Sequence, residues 1–128
     1  MKLEVVKYDF VDSTNNIAIR RIKNGKIKPT LILANSQKKG RGQYGRKWIS
    51  YRGNVFITIY FKLKKKITIK TLSKKVYSTI KTSLEKLINE KITIKLPNDL
   101  LIKGSKICGI LQETVNYNNK KFFIIGIG

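Results

Sequence analysis

The sequence predicts an α+β domain: a mixed, mostly antiparallel sheet with flanking helices. Short runs rich in β-branched and aromatic residues recur along the chain, and turn residues separate them. Two other stretches space their apolar residues three and four positions apart, which is typical of helices. The 128 residues suffice for one hydrophobic core but are too few for two full-sized domains. We therefore predict a single domain over residues 1–128.

The first half of the chain contains two predicted strands around one predicted helix. Leu3–Tyr8 forms the opening strand. The polar cluster Asp12–Asn15 offers N-cap side chains to a helix over Asn16–Lys23, and Asn24-Gly25 ends that helix. Thr30–Ala34 is β-branched and apolar enough for the second strand.

The second half contains the longest predicted helix and five further strands. Residues alternate between two faces along the strand Asn54–Leu63. Apolar residues recur at helical spacing from Ile69 to Asn89, which predicts one long amphipathic helix. Four short strands follow, with turns between them: Ile92–Lys95, Leu100–Ile102, Ile107–Val115 and Phe122–Ile127.

Residues 37–50, here called the glycine loop, have a composition that suits an anionic ligand close to the main chain. Gly40, Gly42 and Gly45 allow close approach and positive φ, and Arg41, Arg46 and Lys47 supply charged donors. The three glycines also match the dinucleotide-binding pattern G-x-G-x-x-G, which requires a helix to begin at the last glycine. A strand follows here instead, so we reject the dinucleotide interpretation.

Composition excludes several kinds of chemistry. The chain has no histidine, which excludes histidine metal sites and Ser-His-Asp or Cys-His catalysis. One cysteine cannot form an internal disulfide. No stretch reaches the roughly 18 consecutive apolar residues of a membrane span, and the N-terminus lacks an apolar secretory segment. We therefore expect a cytoplasmic protein that does not associate with membranes.

The formal net charge of +21 suggests a basic nucleic-acid-binding module as one function class. The positive charge is nearly all lysine, however, and it is spread along the chain with abundant isoleucine and asparagine. Arginine, which is preferred for bidentate contacts to phosphate and guanine, occurs only five times. We therefore favour a solvated lysine-rich surface and expect no DNA partner.

Three further polar segments come after predicted strands or within them. Lys95-Leu-Pro-Asn-Asp99 places a cation, an amide and a carboxylate on a tight turn, which suits phosphates or a magnesium ion. Lys106–Glu113 begins with a lysine and contains Gly109, and Gly126-Ile-Gly128 brings two more glycines to the last strand. Each segment alone is also explained by a plain turn, a bulge or a solvated lysine.

Together, in this order and spacing, these segments resemble the catalytic domain of biotin protein ligases. The resemblance covers nearly the whole chain. It rests on these segments: Asp12–Asn15, Gln37–Ser50, Gly53-Asn54, Lys95–Leu100, Lys106–Glu113 and Ile125–Gly128. It implies the catalytic-domain fold of biotin and lipoate protein ligases, which is similar to that of class II aminoacyl-tRNA synthetases.

The resemblance also implies an activity with ATP and Mg²⁺. The family joins biotin to ATP, releases pyrophosphate and forms biotinyl-5′-adenylate. It then transfers biotin to a lysine of a biotin carboxyl carrier protein, that of acetyl-CoA carboxylase. The first step brings two anions together, so cations must neutralise both and hold the attacking oxygen in line.

By the same resemblance, individual residues receive roles. Catalysis falls to Lys106, Arg41 and Asp99. The residues expected to bind biotin are Ser13, Thr14, Gln37, Gly40, Arg41, Lys106, Gly109 and Gly126. Those expected to bind ATP and its phosphates are Arg41, Arg46, Trp48, Lys95, Asn98, Asp99 and Lys106. No motif binds a metal directly, and Mg²⁺ is expected to arrive with ATP near Asp99.

Three features depart from the family pattern. Gln43 replaces an arginine of the glycine loop, which predicts faster escape of the adenylate, and Leu96 replaces a tryptophan. The chain ends at Gly128, where the family continues, so we expect a domain shortened at its C-terminus. Because the first predicted strand begins close to Met1, we expect no N-terminal helix-turn-helix domain. The apolar edge left by the last strand favours association between copies, for example a homodimer.

Three alternatives to an active biotin ligase stay open at this point. A lipoate–protein ligase or lipoyl transferase would share the fold and the adenylate chemistry. An inactive fragment that keeps only the biotin pocket would contain the same motifs. A basic nucleic-acid-binding module differs in class, and its binding should weaken steeply as salt rises.

Overall fold

The structure, a computed structural model, describes residues 2–128 and divides into two compact units. The first unit contains the described residues up to Leu63 together with Leu111–Gly128, and the second contains Lys64–Ile110. The helices and strands are β1 (Glu4–Val11), α1 (Thr14–Lys23), β2 (Thr30–Gln37), β3 (Phe56–Lys62), α2 (Ile69–Ile88), β4 (Thr93–Lys95), β5 (Asp99–Ile102), β6 (Ser105–Tyr117) and β7 (Lys120–Ile127). A short 3₁₀ turn occupies Gln43–Gly45.

Strand pairing confirms the predicted mixed, mostly antiparallel sheet. In the first unit the hydrogen-bonded order is β1-β2-β3-β7-β6, and in the second it is β6-β5-β4, with the long strand β6 running through both. β1 and β2 are parallel. The pairs β2–β3, β3–β7, β4–β5 and β5–β6 are antiparallel.

Every predicted helix and strand is present, with shifted boundaries. β1 and β2 each run three residues beyond the predicted ends at Tyr8 and Ala34. Their parallel pairing continues as far as Val11 opposite Gln37, so polar residues are included that local hydrophobicity would leave out. β3 begins at Phe56, two residues after the predicted start.

Helix α1 begins two residues before its predicted start. Ser13 is the N-cap, and its Oγ accepts a hydrogen bond from the Asn16 N–H at 3.3 Å. The helix ends as predicted, with Asn24 as the C-cap and Gly25 at φ +80°. The N-cap cluster therefore lies beside the polar C-terminal end of β1.

The core of the first unit forms where α1 packs on the sheet. The buried residues that form this cluster are Ala18, Ile22, Ile32, Tyr60, Phe122 and Ile124. The Tyr60 hydroxyl donates to the Lys26 carbonyl oxygen at 2.9 Å and accepts from the Arg21 Nε at 3.2 Å. This buried phenol therefore keeps its polar end satisfied.

β3 buries the face that carries Phe56, Thr58 and Tyr60, while Ile57 and Ile59 on the other face are half-buried. A threonine thus occupies a fully buried position in the middle of the strand. Its hydroxyl needs hydrogen-bond partners there, and the candidate site supplies them.

The second unit packs α2 against β4. The Thr68 hydroxyl caps the helix by accepting from the Thr71 N–H at 3.2 Å. Four of the predicted apolar positions are half-buried: Leu72, Val76, Ile80 and Leu84. Leu87 is 80% exposed, so the predicted apolar stripe is only partly covered. Among the described residues, no helix is long and apolar enough to cross a membrane.

Candidate functional site

The glycine loop folds back on itself as a small hairpin between β2 and β3. The Gly40 carbonyl oxygen accepts from the Trp48 N–H at 2.8 Å, and the Gly42 N–H donates to the Arg46 carbonyl oxygen at 2.7 Å. Arg41 pairs with Lys47 between these bonds. No helix begins at Gly45, which agrees with rejecting the dinucleotide pattern.

At two of the three loop glycines, the structure explains why a residue with a side chain would be disfavoured. A Cβ at Gly40 would lie 2.4 Å from the Trp48 carbonyl oxygen and 2.5 Å from the Ser50 Oγ. Gly45 adopts φ +71°, a conformation that other residues rarely take. At Gly42 a Cβ would have its nearest neighbour at 3.7 Å. Neither close packing nor positive φ, the two reasons predicted for these glycines, therefore applies there. The tip is in solvent, with Tyr44 91% exposed.

Thr14 and Gln37, both predicted biotin contacts, bind each other at the base of the loop. The Gln37 Oε1 accepts from the Thr14 N–H at 2.8 Å and from the Thr14 hydroxyl at 3.1 Å. The Gln37 Nε2 donates to the Ser50 Oγ at 3.0 Å, and that hydroxyl donates to the Trp48 carbonyl oxygen at 2.9 Å. These bonds connect the start of α1 to both ends of the glycine loop.

Thr58 extends this polar cluster across the sheet. Its Oγ1 lies 2.8 Å from the Thr14 Oγ1 and 2.6 Å from the Asn15 Oδ1. All three side chains are buried. Asn15 lies over Gly126, where a Cβ would be 2.5 Å from the Asn15 Oδ1. The bare backbone at Gly126 thus makes room for the side chain of Asn15.

Glu113 joins this cluster to the glycine loop. The Arg41 guanidinium donates to both carboxylate oxygens of Glu113, at 2.8 and 2.9 Å, and its Nε donates to the Asn16 Oδ1 at 2.9 Å. The Asn15 Nδ2 also donates to Glu113 Oε2, at 3.0 Å. Burial raises the pKa of Glu113, but the bonds from Arg41 and Asn15 outweigh burial and lower it overall.

The cluster ends at the ion pair between Asp12 and Arg20. Arg20 donates to both Asp12 oxygens at 2.8 and 2.9 Å, and the Asn16 Nδ2 donates to Asp12 at 3.2 Å. The Arg20 guanidinium holds the pKa of Asp12 well below its usual range, against the effect of burial. Asp12 therefore stays ionised beside the N-terminus of α1.

Two other contacts lie at the C-terminal end of the glycine loop and directly after it. The Trp48 ring lies against Gly128, where a Cβ would be 2.6 Å from the Trp48 Nε1. Beyond the loop, an Arg52 nitrogen lies 2.8 and 2.9 Å from the two Asp9 oxygens, although both side chains are mostly exposed. The base of the loop is thus attached to the sheet at several points.

In the second unit, the predicted turn joins β4 to β5. Lys95 pairs with Asp99, and the Asn98 carbonyl oxygen accepts from the Ile110 N–H at 2.9 Å. The Pro97 carbonyl oxygen accepts from the Tyr77 hydroxyl on α2. Leu96 is 77% exposed, so the residue that replaces the family's tryptophan packs little within this unit.

Lys106 and Asp99, both predicted catalytic residues, lie side by side in the second unit. The Lys106 Nζ is 2.8 Å from Asp99 Oδ1, a buried oxygen that has no hydrogen-bond partner besides this ion-pair contact. Burial raises the pKa of the neighbouring Cys108 thiol to about 11, which keeps that thiol protonated. Over residues 2–128, no three His, Cys, Asp or Glu side chains group closely enough to hold a metal ion.

Each unit thus gathers part of the predicted site. The first contains Ser13, Thr14, Gln37, Gly40, Arg41, Arg46, Trp48 and Gly126, and the second contains Lys95, Asn98, Asp99, Lys106 and Gly109. Sequence reasoning assigned no role to Asn15, Thr58 or Glu113, which connect the first group. A polar residue on the inward face of an alternating strand was the available signal for Thr58.

Comparison with known proteins shows which family and which relatives this sequence resembles. The chain matches the biotin/lipoate A/B protein ligase family over residues 8–128. The bifunctional ligase/repressor BirA of Escherichia coli (strain K12) is 33% identical over 122 residues, which cover 92% of this chain and 37% of BirA. BirA of Bacillus subtilis (strain 168) is 31% identical, and the match covers all of this chain and 40% of that protein.

Solved structures of biotin protein ligases have a fold similar to that of this chain. Biotin protein ligase from Aquifex aeolicus in complex with biotin and ATP has a TM-score of 0.77 and 28% identity, covering 98% of this chain and 52% of that one. The ligase from Leishmania major in complex with biotinyl-5-AMP has a TM-score of 0.81 at 21% identity, covering all of this chain and 58% of that one, and it supports the fold alone.

These relatives are longer than the chain, which spans about two-fifths of the length of the curated proteins it matches. The family match nevertheless covers all but its first seven residues. Together with the fold and the predicted motifs, this match identifies the chain as a member of the biotin/lipoate A/B protein ligase family.

Proposed function

We propose that the chain binds biotin and ATP and joins them as biotinyl-5′-adenylate. The observation that carries this proposal is the buried polar cluster of Thr14, Gln37, Asn15 and Thr58 at the base of the glycine loop. The Aquifex relative, whose fold this chain shares, was solved with biotin and ATP. Neutral, hydrogen-bonding side chains suit the uncharged ureido ring of biotin.

Two donors in this cluster are left for a ligand. The Ser13 Oγ accepts from the Asn16 N–H, so its own hydroxyl proton is available. The Gln37 Nε2 carries two protons and gives one to Ser50. We assign both donors to the ureido oxygen of biotin, with Thr14 fixing the orientation of Gln37.

Arg41 takes a role narrower than the sequence predicted. Its guanidinium is held by Glu113 and Asn16. We therefore propose that Gly40 and Arg41 cover biotin with their main chain, while phosphate contacts fall to other cations. Arg46, exposed on the return side of the loop, and the ring of Trp48 are assigned to the nucleotide.

The adenylation step joins two anions and needs cations. A biotin carboxylate oxygen attacks the α-phosphorus of ATP, and pyrophosphate leaves with the electrons of the broken P–O bond. We propose that Lys106 binds the carboxylate and the α-phosphate and stabilises the charge that develops between them. Lys95 and Asn98 are proposed to bind the remaining phosphates.

Mg²⁺ fits the proposed site as a partner of ATP. Magnesium usually takes one or two carboxylates together with substrate phosphates, and Asp99 Oδ1 is a buried carboxylate oxygen whose contact is the ion pair with Lys106. When bound, the ion would neutralise the leaving pyrophosphate. Lys106, now paired with Asp99, would then turn its ammonium group to the substrate anions.

We propose the biotin carboxyl carrier protein of acetyl-CoA carboxylase as the acceptor. Its neutral lysine attacks the activated carbonyl carbon, an amide forms, and AMP leaves. Asp99 is assigned as the group that accepts the proton from the amine. Gly109, opposite Asp99 in the pairing of β5 with β6, is assigned to the ligand side of that strand.

The test is pyrophosphate release from ATP and Mg²⁺, measured with biotin, with lipoate and with neither acid. We expect release to depend on biotin and to be nearly abolished by Lys106→Met. Lys70→Met, which removes an exposed lysine of α2 in the same unit, is the matched control and should leave release unchanged. Lipoate-dependent release, or no stimulation by either acid in folded protein, would contradict the proposal.

A further inference from the structure

The carboxylate of Glu113 binds the glycine loop on one side and the buried polar cluster on the other. We propose that Glu113 is a positioning residue, which holds the loop closed over the site and thereby sets how long a bound ligand stays. The ligand in question is biotin or its adenylate, so this inference rests on the proposed function.

The bond between Arg41 and Glu113 has the geometry of a strong anchor. Two parallel N–H···O bonds of 2.8 and 2.9 Å join the two groups. The side chains are 31% and 26% exposed, so water competes for them less than for the exposed pair of Arg52 and Asp9. Bidentate arginine–carboxylate pairs are among the stronger hydrogen-bonded contacts in proteins.

The same carboxylate also contacts the proposed pocket. Its Oε2 accepts from the Asn15 Nδ2 at 3.0 Å, and Asn15 Oδ1 contacts the Thr58 hydroxyl at 2.6 Å. Thr58 in turn lies 2.8 Å from Thr14, which fixes the orientation of Gln37, a proposed biotin contact. The position of the loop and the geometry of the pocket therefore depend on one side chain of β6.

Main-chain bonds attach the start of the loop to the end of β1, where the Lys38 and Lys39 N–H groups donate to the Val11 and Asp12 carbonyl oxygens at 2.8 Å, but the hairpin from Gly40 to Trp48 needs a further anchor. The bonds between Gly40 and Trp48 and between Gly42 and Arg46 keep the hairpin intact, but they do not attach it to the sheet. The Arg41 side chain makes that attachment on the incoming side, next to the exposed tip. A loop released at Arg41 would move as a preformed hairpin.

Glu113→Gln tests the inference. The glutamine keeps an acceptor for Asn15 but loses the charge that binds Arg41. Trp48, the only tryptophan, lies in the loop and reports its motion by fluorescence. We expect biotin to dissociate about tenfold faster with little change in association, matching a loss of about 1.4 kcal/mol. Without ligand, Trp48 anisotropy should fall and acrylamide quenching should rise.

The matched control is Glu4→Gln, which removes the same charge from another arginine pair of the first unit, Arg21–Glu4 at 3.2 Å. It should change neither the dissociation rate nor the Trp48 signal. Arg41→Lys is the second variant, and because it keeps the charge but not the bidentate geometry, its effect should be smaller than that of Glu113→Gln.

The fluorescence measurement separates this inference from the proposed function. If the wild-type protein binds no biotin, the loop still reports through Trp48, and lower anisotropy in Glu113→Gln supports the anchor. If Trp48 anisotropy and quenching are the same in the wild type, Glu113→Gln and Arg41→Lys, the anchoring role is wrong, whatever the ligand proves to be.

Discussion

Thr58 is a polar residue at the centre of a buried strand, and its hydroxyl contacts two other buried side chains. A hydroxyl has one proton, so Thr58 can donate to either Thr14 or Asn15 but not to both. The cluster therefore depends on each member being present, because removing one leaves a buried neighbour short of a partner.

Thr58→Val removes this hydroxyl with almost no change in shape. We expect the free energy of unfolding to fall by about 1–3 kcal/mol, because Thr14 and Asn15 lose a buried partner. Urea unfolding measures the change. Thr82→Val on the exposed surface of α2, where the hydroxyl bonds only to the Ser78 carbonyl oxygen, is the control and should cost less than about 0.5 kcal/mol. Equal costs would contradict the role of the cluster.

Glu113 makes stability depend on pH in a direction that its contacts determine. Its pKa lies below the ordinary value of 4.5, so the pair with Arg41 stabilises the fold above that value. The stabilisation is lost as pH falls through the lowered pKa, because the carboxylate becomes protonated. Between about pH 6 and pH 3, wild-type protein should therefore lose more stability than Glu113→Gln.

Urea unfolding of both proteins at each pH measures this difference. Asp9, Asp12 and Glu85 also have lowered pKa values, but they are present in both proteins and cancel in the comparison. Parallel pH curves for the two proteins would exclude a contribution of ionised Glu113 to stability.

At the scale of elements, the glycine loop combines a tightly packed base with an exposed tip. Gly40 is surrounded by the Trp48 backbone and by Ser50, whereas a Cβ at Gly42 would meet its nearest neighbour, Arg46, at an ordinary contact distance of 3.7 Å. The sequence pattern does not distinguish these two glycines, whereas the structure shows that only Gly40 is tightly packed.

Gly40→Ala and Gly42→Ala form a matched pair within this loop. A Cβ at Gly40 would meet backbone at 2.4 Å, so the two sides of the hairpin must separate. We expect the Gly40 variant to lose several degrees in Tm and to shift Trp48 emission to longer wavelength. The Gly42 variant should change neither measurably. A Gly40 variant with wild-type Tm and emission would show that the loop base is loosely packed.

Helix α2 offers a second matched pair, because its apolar stripe is only partly covered. Leu84 is half-buried and Leu87 is 80% exposed. We expect Leu84→Ala to cost about 1–2 kcal/mol of unfolding free energy and Leu87→Ala less than about 0.5, as measured by urea unfolding. A larger cost at Leu87 would mean that this end of the helix is covered in solution.

For the whole molecule, charge is the dominant feature. The 28 lysines and arginines against 7 aspartates and glutamates leave a net charge of +21. The ion pairs of the structure engage only part of this excess, so repulsion between cations opposes folding.

Salt should therefore stabilise the protein. We expect Tm to rise as NaCl increases from about 0.02 to 0.3 M, because screening reduces repulsion across the surface more than it weakens the half-buried pairs. Differential scanning calorimetry measures the shift. Sucrose at matched osmolality controls for general solute effects, and a falling Tm would mean that the ion pairs outweigh the repulsion.

Local sequence patterns were enough to predict the helices and strands, the caps of α1 and the position of the glycine loop. These features depend on periodicity and turn chemistry within one short segment of chain, which the sequence displays directly. The same local information predicted which motifs carry polar groups, and the order of those motifs along the chain indicated the family.

Which of those polar groups contact one another became clear only from the folded chain. Asn15 and Glu113 are 98 positions apart in sequence, and Arg41 and Glu113 are 72 apart. Their contact follows from the pairing order of the strands and from the packing of α1 on the sheet, which no single segment encodes. Packing in the folded chain also explains why Gly40 is crowded and Gly42 is not. It brings Thr14 and Asn15 to Thr58, although these residues are distant along the chain.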